Sequence, residues 1–284
     1  MTHPGQILKQ ANLYAGKELG QNFLSDSGLA KALIKRTGIS KNTRVLEIGP
    51  GLGALTIPIA RAASEVIAVE KDRRLISLLE KELASKNLAH VRIIHNDILK
   101  QDIRTLAGDK KLIVIGNLPY NISSQILFKL VEERISIEKA FLMFQKELAQ
   151  RIPATPGSKR YSRLSAVVQY AARVDHFADV GPACFFPRPE VESTILEFNF
   201  FPPAEFTPDQ EKVLFRVIKA AFSKRRKTLK NSLSGNELGL DKSQVYQLLE
   251  DAGIDAVRRA ETLNVEEFKK IAGLVLSPDK GYSL

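Results

Sequence analysis

Four consecutive residues, Asn117-Leu118-Pro119-Tyr120, carry the parts needed to prepare a weak amine for alkylation. The exocyclic N6 of adenine is such an amine, because its lone pair is delocalised into the ring. Two acceptors aimed at its two hydrogens would hold it in line with a methyl donor and draw it toward tetrahedral geometry. The amide oxygen of Asn117 can be one acceptor and the main-chain carbonyl of Leu118 the other. Pro119 keeps Leu118 extended and so sets the direction of that carbonyl. Tyr120 offers a flat face on which a base can stack, an interaction worth roughly 1–3 kcal/mol. No strong general base is required, since the alkylated nitrogen is cationic and gives its proton readily to water. His3, His90, His95 and His176 show no metal-ligand spacing, so no metal is expected. Taken alone, the tetrapeptide also reads as a strand-to-helix turn with a buried tyrosine, and its neighbours decide.

Those neighbours form a nucleotide site. Glu47-Ile48-Gly49-Pro50-Gly51-Leu52-Gly53 is a glycine loop whose backbone can turn sharply and approach a ligand. Glu70 follows Gly49 by 21 positions, a spacing that suits a carboxylate accepting both ribose hydroxyls. Gly49-x-Gly51-x-x-Ala54 equally satisfies a dinucleotide-binding pattern, so the loop itself admits NAD. Three features favour S-adenosylmethionine: the acid before the loop at Glu47, the third glycine at Gly53, and Asn96-Asp97 further along. A ligand without a pyrophosphate also asks less of a helix N-terminus.

Alternating elements must bring these residues to one edge. The stretches 44–48, 66–69, 91–94, 112–115 and 140–144 are short apolar runs that read as buried strands. Between them 52–63, 72–85 and 122–133 read as helices, and Ser25 or Asp26 can cap an earlier one through Leu29, Ala32 and Leu33. Such alternation predicts a parallel sheet covered on both faces, an α/β fold. Ligands bind such sheets beyond the carboxyl ends of the strands, where Gly49, Glu70, Asp97 and Asn117 all fall. The stretches 173–180 and 191–198 read as two more strands joined by a Pro-rich turn at 186–189, at least one of them antiparallel. Phe201-Pro202-Pro203 breaks the pattern. Only helical periods follow, at Leu214/Val217/Ile218/Ala221, Val245/Leu248/Leu249 and Val265/Phe268/Ile271/Ala272. The expected organisation is a catalytic domain over residues 1–204 and a small all-α domain over 205–284.

A chain of 284 residues is long enough for that pair. With 44% hydrophobic and 26% charged residues it can bury a core, and no apolar run reaches the ~18 residues that span a bilayer. Residues 1–10 lack the apolar stretch of a secretion signal. Cys184 stands alone, which excludes an intramolecular disulfide, suits a reducing cytoplasm, and reads as a small buried hydrophobe. The net charge of +10 points to a polyanionic partner, nucleic acid first. Residues 1–204 hold 28 Lys/Arg against 20 Asp/Glu, and 205–284 hold 14 against 12, so the excess lies mainly in the larger part. Within the smaller part Lys224, Arg225, Arg226, Lys227 and Lys230 crowd together, as a phosphate grip or a solvated helix face.

With these residues in order, the chain resembles the bacterial 16S ribosomal RNA adenine N6,N6-dimethyltransferases, the family whose loss gives kasugamycin resistance. The resemblance runs through Gly20-Gln21-Asn22-Phe23-Leu24, Leu46-Glu47-Ile48-Gly49-Pro50-Gly51, Val69-Glu70, Asn96-Asp97 and Asn117-Leu118-Pro119-Tyr120. It continues through Gly157-Ser158-Lys159-Arg160-Tyr161-Ser162, Phe185-Phe186-Pro187-Arg188-Pro189-Glu190-Val191 and Phe222-Ser223-Lys224-Arg225-Arg226-Lys227. It implies a Rossmann-like class I methyltransferase sheet with a small helical C-terminal domain. It implies S-adenosylmethionine as cofactor, touched by Asn22 and Leu24 from an N-terminal segment folded over the site. Gly49 and Gly51 would lie at the cofactor's methionine part, Glu70 at its ribose, Asp97 at its adenine, and Asn117 between cofactor and target. Tyr120 and Phe185 would sandwich the flipped adenine, with Phe186 in the core. Lys159, Arg160, Arg163, Lys224, Arg225, Arg226, Lys227 and Lys230 would grip phosphates without reading sequence.

The implied reaction places two methyl groups on each of two adjacent adenosines in the last hairpin loop of 16S rRNA. The implied partner is the immature 30S subunit; the lone cysteine points to the cytoplasm, and a monomer is the default expectation. A loop base is already partly unstacked, which lowers the cost of flipping it. Relatives acting on 23S rRNA share the tetrapeptide, but the 185–191 run and the basic cluster favour the small-subunit group. A DNA adenine methyltransferase usually carries an Asp-Pro-Pro-Tyr type motif instead. A ribosome-assembly factor acting chiefly by binding is the reading from another class, and a small-molecule methyltransferase is opposed by the basic helical part.

Overall fold

The structure, a computed structural model, describes residues 2–16, 20–203, 205–224, 226–235 and 237–277. One sheet is built from β1 (Arg44–Ile48), β2 (Glu65–Glu70), β3 (Arg92–His95), β4 (Leu112–Asn117), β5 (Ile137–Gln145), β6 (Ala172–Val180) and β7 (Ser193–Phe200). Their order across it is β3-β2-β1-β4-β5-β7-β6. β1 pairs in parallel with β2 and β4, β2 with β3, and β4 with β5, whereas β7 runs antiparallel to β5. The α/β class and the antiparallel strand both match the sequence reading. Strands buried on both faces carry continuous apolar runs, and Val45, Leu46, Ile48, Val66, Ile67 and Ala68 are all 2% exposed or less. Each buried Val, Leu or Ile contributes roughly 1.5–3 kcal/mol relative to an exposed one.

The chain divides into two units, one of Met1–Ala149 with Val174–Phe200 and one of Gln150–Arg173 with Phe201–Leu284. The first holds α1 (Pro4–Gln10), α2 (Ser27–Arg36), α3 (Thr56–Ala62), α4 (Arg73–Ala84), α5 (Ile103–Ala107) and α6 (Ser123–Glu132). α2 starts at the expected cap: Asp26 Oδ1 accepts the N–H groups of Gly28 and Leu29, each at 2.9 Å. α4 is capped likewise by Asp72 and buries Leu75, Leu79 and Leu83. α3 begins at Thr56 rather than Leu52, because residues 51–55 form turns. α1 was not anticipated. Pro4 occupies its first position, His3 Nδ1 accepts the Gly5 N–H at 3.1 Å, and Leu8 packs with Phe23, Leu52 and Leu75. A short antiparallel ladder joins Phe23 and Leu24 to Phe186 and Phe185.

After α7 (Lys146–Arg151), the second unit comprises α8 (Arg163–Ala171), α9 (Pro208–Ala221), α10 (Leu229–Leu233), α11 (Lys242–Asp251) and α12 (Val265–Leu276). Reciprocal capping boxes start four of these helices: Ser162 with Ser165, Thr207 with Gln210, Asp241 with Gln244, and Asn264 with Glu267. The boundary differs from the single break expected near residue 205, since residues 150–173 pack with the helices. Tyr170 donates to Glu211 Oε1 at 2.7 Å and meets Phe215 edge-on, and Tyr161 lies 6.1 Å from the Phe222 ring. No helix among the described residues is long and apolar enough to cross a membrane.

Candidate active site

Parallel strands deliver their carboxyl ends to one edge, and there the first unit opens into a cavity. Every cofactor and catalytic residue expected from the sequence lines it except Phe185: Asn22, Leu24, Gly49, Gly51, Glu70, Asp97, Asn117, Leu118, Pro119 and Tyr120. Gln21, Glu47 and Lys71 line it as well. Gly49 adopts φ +66°, and a Cβ there would meet no atom within 4 Å, so the main chain borders open space.

The acids at the strand ends differ in their partners. Glu70 is 6% exposed. Its Oε2 accepts the Gly51 N–H at 3.1 Å and its Oε1 the Asp72 N–H at 2.7 Å. Burial pushes its carboxyl up despite those bonds. Each oxygen keeps a further lone pair for a ligand hydroxyl. Asp97 is ionised readily: Lys71 Nζ stands 2.8 Å from its Oδ2 and the Leu99 N–H donates to Oδ1 at 3.0 Å. Chiefly through Lys71, its carboxyl is held below the usual range. Glu47 is the unusual one. It is 1% exposed, and neither its Oε2 nor the nearby Thr56 hydroxyl has a partner of normal hydrogen-bond geometry among the described residues. Burial above all pushes the Glu47 carboxyl up to about 8, with Thr56 lowering it and Glu70 adding to the rise.

Asn117 closes β4. Its Nδ2 donates to the main-chain carbonyl of Asn22 at 2.8 Å. A carbonyl only accepts, so the amide nitrogen must face Asn22 and the amide oxygen must face the other way. The Leu118 N–H donates to the Met143 carbonyl at 3.3 Å, and no described residue donates to the Leu118 carbonyl. The Asn117 amide oxygen and the Leu118 carbonyl therefore keep accepting capacity. The Tyr120 hydroxyl lies 3.3 Å from Ser193 Oγ, which restrains the ring, and Ser123 Oγ donates to the Tyr120 carbonyl.

Phe185 departs from expectation. It is 4% exposed, belongs to the main core cluster and does not line the cavity, whereas Phe186 is 37% exposed and meets His3 edge-on. The two alternate across a short strand paired with Phe23–Leu24, and neighbours in a strand point to opposite faces. Phe185 therefore packs into the core, paired with the cavity-lining Leu24, and Phe186 faces outward.

The basic residues all fall in the second unit. Lys159, Arg160, Lys224, Arg226 and Lys227 are exposed, and Arg163 and Lys230 half-buried; Arg225 lies outside the described residues. Lys224 Nζ donates to the Asn231 carbonyl at 3.1 Å, and Lys230 Nζ sits 4.9 Å from the Tyr246 ring centroid. Among the described residues no group of three or more His, Cys, Asp or Glu could hold a metal ion.

Known proteins resemble the chain over nearly its whole length. The family description ribosomal RNA adenine dimethylase matches residues 13–272. A ribosomal RNA small subunit methyltransferase A from Desulforapulum autotrophicum is 55% identical over 277 residues, 98% of each chain. A protein of the same name from Desulfitobacterium hafniense is 42% identical over 262 residues, 92% of each. The crystal structure of a dimethyladenosine transferase from Plasmodium falciparum aligns with a TM-score of 0.75 at 27% identity, covering 91% of this chain and 98% of that one. The 23S rRNA methyltransferase ErmE aligns with a TM-score of 0.63 at 22% identity, covering 88% and 98%, a likeness of fold.

Proposed function

The chain belongs to the ribosomal RNA adenine dimethylase family, and from that premise we propose how its cavity serves an S-adenosylmethionine-dependent adenine N6 dimethyltransferase acting on small-subunit ribosomal RNA. The cofactor fits the residues present. Its methionine ammonium suits the buried, unpartnered Oε2 of Glu47, with the Gly49 and Gly51 backbone beside it and Asn22 and Leu24 as the N-terminal contacts. Its ribose hydroxyls suit the free lone pairs of Glu70, and its adenine amino group the Asp97 carboxylate. When bound, the cofactor supplies an electrophilic methyl group on a sulfonium.

The protein's part is to hold the nucleophile. Asn117 Oδ1 and the Leu118 carbonyl take the two N6 hydrogens, Pro119 fixes the direction of that carbonyl, and Tyr120 stacks on the base. Water takes the proton, so kcat at saturating cofactor and subunit shows no dependence on one side chain titrating near neutrality; such a dependence would refute this route. Phe185 supports the site from the core beneath it. The second unit grips rRNA phosphates through Lys159, Arg160, Arg163, Lys224, Arg225, Arg226, Lys227 and Lys230. The substrate is two adjacent adenosines in the terminal hairpin loop of 16S rRNA in an immature 30S subunit. The enzyme acts as a cytoplasmic monomer and needs no metal, so EDTA leaves its rate unchanged.

The observation that carries the reading is the 2.8 Å bond from Asn117 Nδ2 to the Asn22 carbonyl, which turns the amide oxygen away from Asn22. The names of the relatives at 55% and 42% identity favour the small subunit over the large. The test mixes the protein with unmethylated small subunits and labelled S-adenosylmethionine. Mass spectrometry of the digested 16S rRNA shows N6,N6-dimethyladenosine; label found only in 23S rRNA, or in none, overturns the proposal.

A further inference from the structure

Asn117 is aimed by a main-chain carbonyl 95 residues away in the chain, so whatever holds that carbonyl holds the aim. On its downstream side the segment is fastened by main-chain bonds. Phe23 and Leu24 pair with Phe186 and Phe185, and the Ser25 N–H donates to the Cys184 carbonyl at 2.7 Å. On its upstream side the Gln21 N–H donates to the Gly16 carbonyl at 3.3 Å, and among the described residues the tie to the rest of the unit is the Gln21 side chain. Gln21 Oε1 accepts the Gly16 N–H at 2.8 Å, and Gln21 Nε2 donates to Asp72 Oδ2 at 2.9 Å.

Asp72 is a firm anchor. It is 6% exposed, its Oδ1 accepts the Arg74 N–H at 3.1 Å, and the Arg74 guanidinium donates to Oδ1 at 2.9 Å and to Oδ2 at 2.7 Å. Its own N–H donates to Glu70 Oε1 at 2.7 Å. Hydrogen bonds and short stretches of main chain therefore connect Asn117 to Glu70, both of which line the cavity. Gln21 lines that cavity, yet both polar atoms of its amide are engaged by protein.

We infer that Gln21 is a positioning residue: bonded to Asp72, it sets the place of the Asn22 carbonyl and through it the aim of the Asn117 amide oxygen. The inference rests on the role given to Asn117 above. Reacting geometry is steep in distance, with a displacement of about 1 Å costing on the order of 100-fold in rate. Losing the side-chain fastening while the main-chain bonds remain shifts the segment by less, and the expected loss is about tenfold.

The test exchanges polarity across the Gln21–Asp72 bond in the full chain. Gln21→Glu sets two carboxylates against each other, and Asp72→Asn leaves one oxygen where the donors of Gln21 and Arg74 need two. The double variant Gln21→Glu/Asp72→Asn restores one donor facing one acceptor. Single-turnover methylation of unmethylated small subunits at saturating cofactor falls about tenfold in each single variant and returns to within about threefold of wild type in the double. Independently of catalysis, hydrogen exchange of the Asn117 side-chain amide, followed by NMR in the ligand-free protein, speeds up in the singles and slows again in the double. The exchange readout also serves if a single variant is too unstable to assay at working temperature. Wild-type rates in both singles, or a double variant as slow as the slower single with Asn117 exchange unchanged throughout, overturns the inference. An inactive wild type in the same assay overturns the methyltransferase reading instead.

Discussion

Glu47→Gln removes a buried carboxyl whose Oε2 has no hydrogen-bond partner among the described residues, and its effects on stability and on cofactor binding run in opposite directions. Burial first, then nearby Glu70, pushes this carboxyl up to about 8, against an ordinary value of 4.5 in the unfolded chain. Between those values the native state keeps a proton that the unfolded state has lost. The stability contributed by the protonated group is therefore complete below pH 4.5 and disappears as the pH rises to about 8. At ~1.4 kcal/mol per pH unit, wild type loses on the order of 5 kcal/mol across that window through this group, and the glutamine variant loses none.

Binding shows the reverse. If the methionine ammonium pairs with ionised Glu47, wild type must shed a proton to bind below pH 8, so its affinity climbs about tenfold per pH unit up to that point. The glutamine variant binds more weakly and without that climb. Lys71 and Asp97, which also line the cavity, are common to both proteins and cancel in the comparison, whereas Glu70 is coupled to Glu47 and its change is part of the difference read. Melting temperatures from pH 5 to 9 without ligand give the first quantity, read as the difference between the two proteins. Titration calorimetry with S-adenosylhomocysteine at pH 7, in two buffers of different ionisation enthalpy, gives the proton release. A stability difference that does not change with pH, together with no proton released on binding, refutes the assignment of Glu47 to the ammonium.

Three further changes separate the parts of the site. Asn117→Ala should lower kcat by about 100-fold, as loss of a preorganised polar group at a reacting centre does, while S-adenosylhomocysteine affinity stays within about threefold; equal losses in both would make Asn117 a cofactor ligand only. Phe185→Ala should cost about 3–5 kcal/mol in denaturant unfolding, as for a buried ring, and Phe186→Ala well under half of that; equal costs would contradict their opposite burial. Lys224→Glu with Lys227→Glu should weaken binding to the small subunit and flatten its dependence on log salt by about two, leaving cofactor affinity unchanged. A parallel fall in cofactor affinity would remove these lysines from the RNA grip.

Where chemistry and periodicity are local, they were readable. The apolar runs of β1, β2 and β4 stand out because strands covered on both faces have no polar side, and Asp26 announces α2 by the capping geometry it goes on to make. The strand ends followed directly, and with them Gly49, Glu70, Asp97 and Asn117. Contacts between distant segments were not readable. The bond from Asn117 to Asn22 and the bond from Gln21 to Asp72 join residues 95 and 51 positions apart. The order of Phe185 and Phe186 depends on a ladder of two residues per strand, too short to leave a period. Residues 150–173 joined the helical unit through Tyr161 and Tyr170, whose partners lie beyond the Pro202-Pro203 break. Glu47 did carry a signal, since an acid inside the run Arg44-Val45-Leu46-Glu47-Ile48 of a central strand is bound to be buried.

Two fixed acceptors meet a substrate that changes between turnovers. Adenine brings two N6 hydrogens to the first transfer, but the monomethylated base brings one, so one acceptor goes unused and a methyl group must lie where a hydrogen lay. The acceptors differ in how firmly they are held. Leu118 is 1% exposed and continues β4 against β5 through its N–H on Met143. Asn117 takes its aim from a segment fastened on one side by the Gln21 side chain. The softer arm is the one that can yield to a methyl group, so the remaining hydrogen stays on the Leu118 carbonyl in the second transfer. Loosening the segment with Gln21→Glu should then slow the first transfer more than the second. In a time course of partly methylated subunits, the peak fraction of N6-monomethyladenosine should fall relative to wild type. A rise in that peak would place the yielding acceptor at Leu118 and refute the argument.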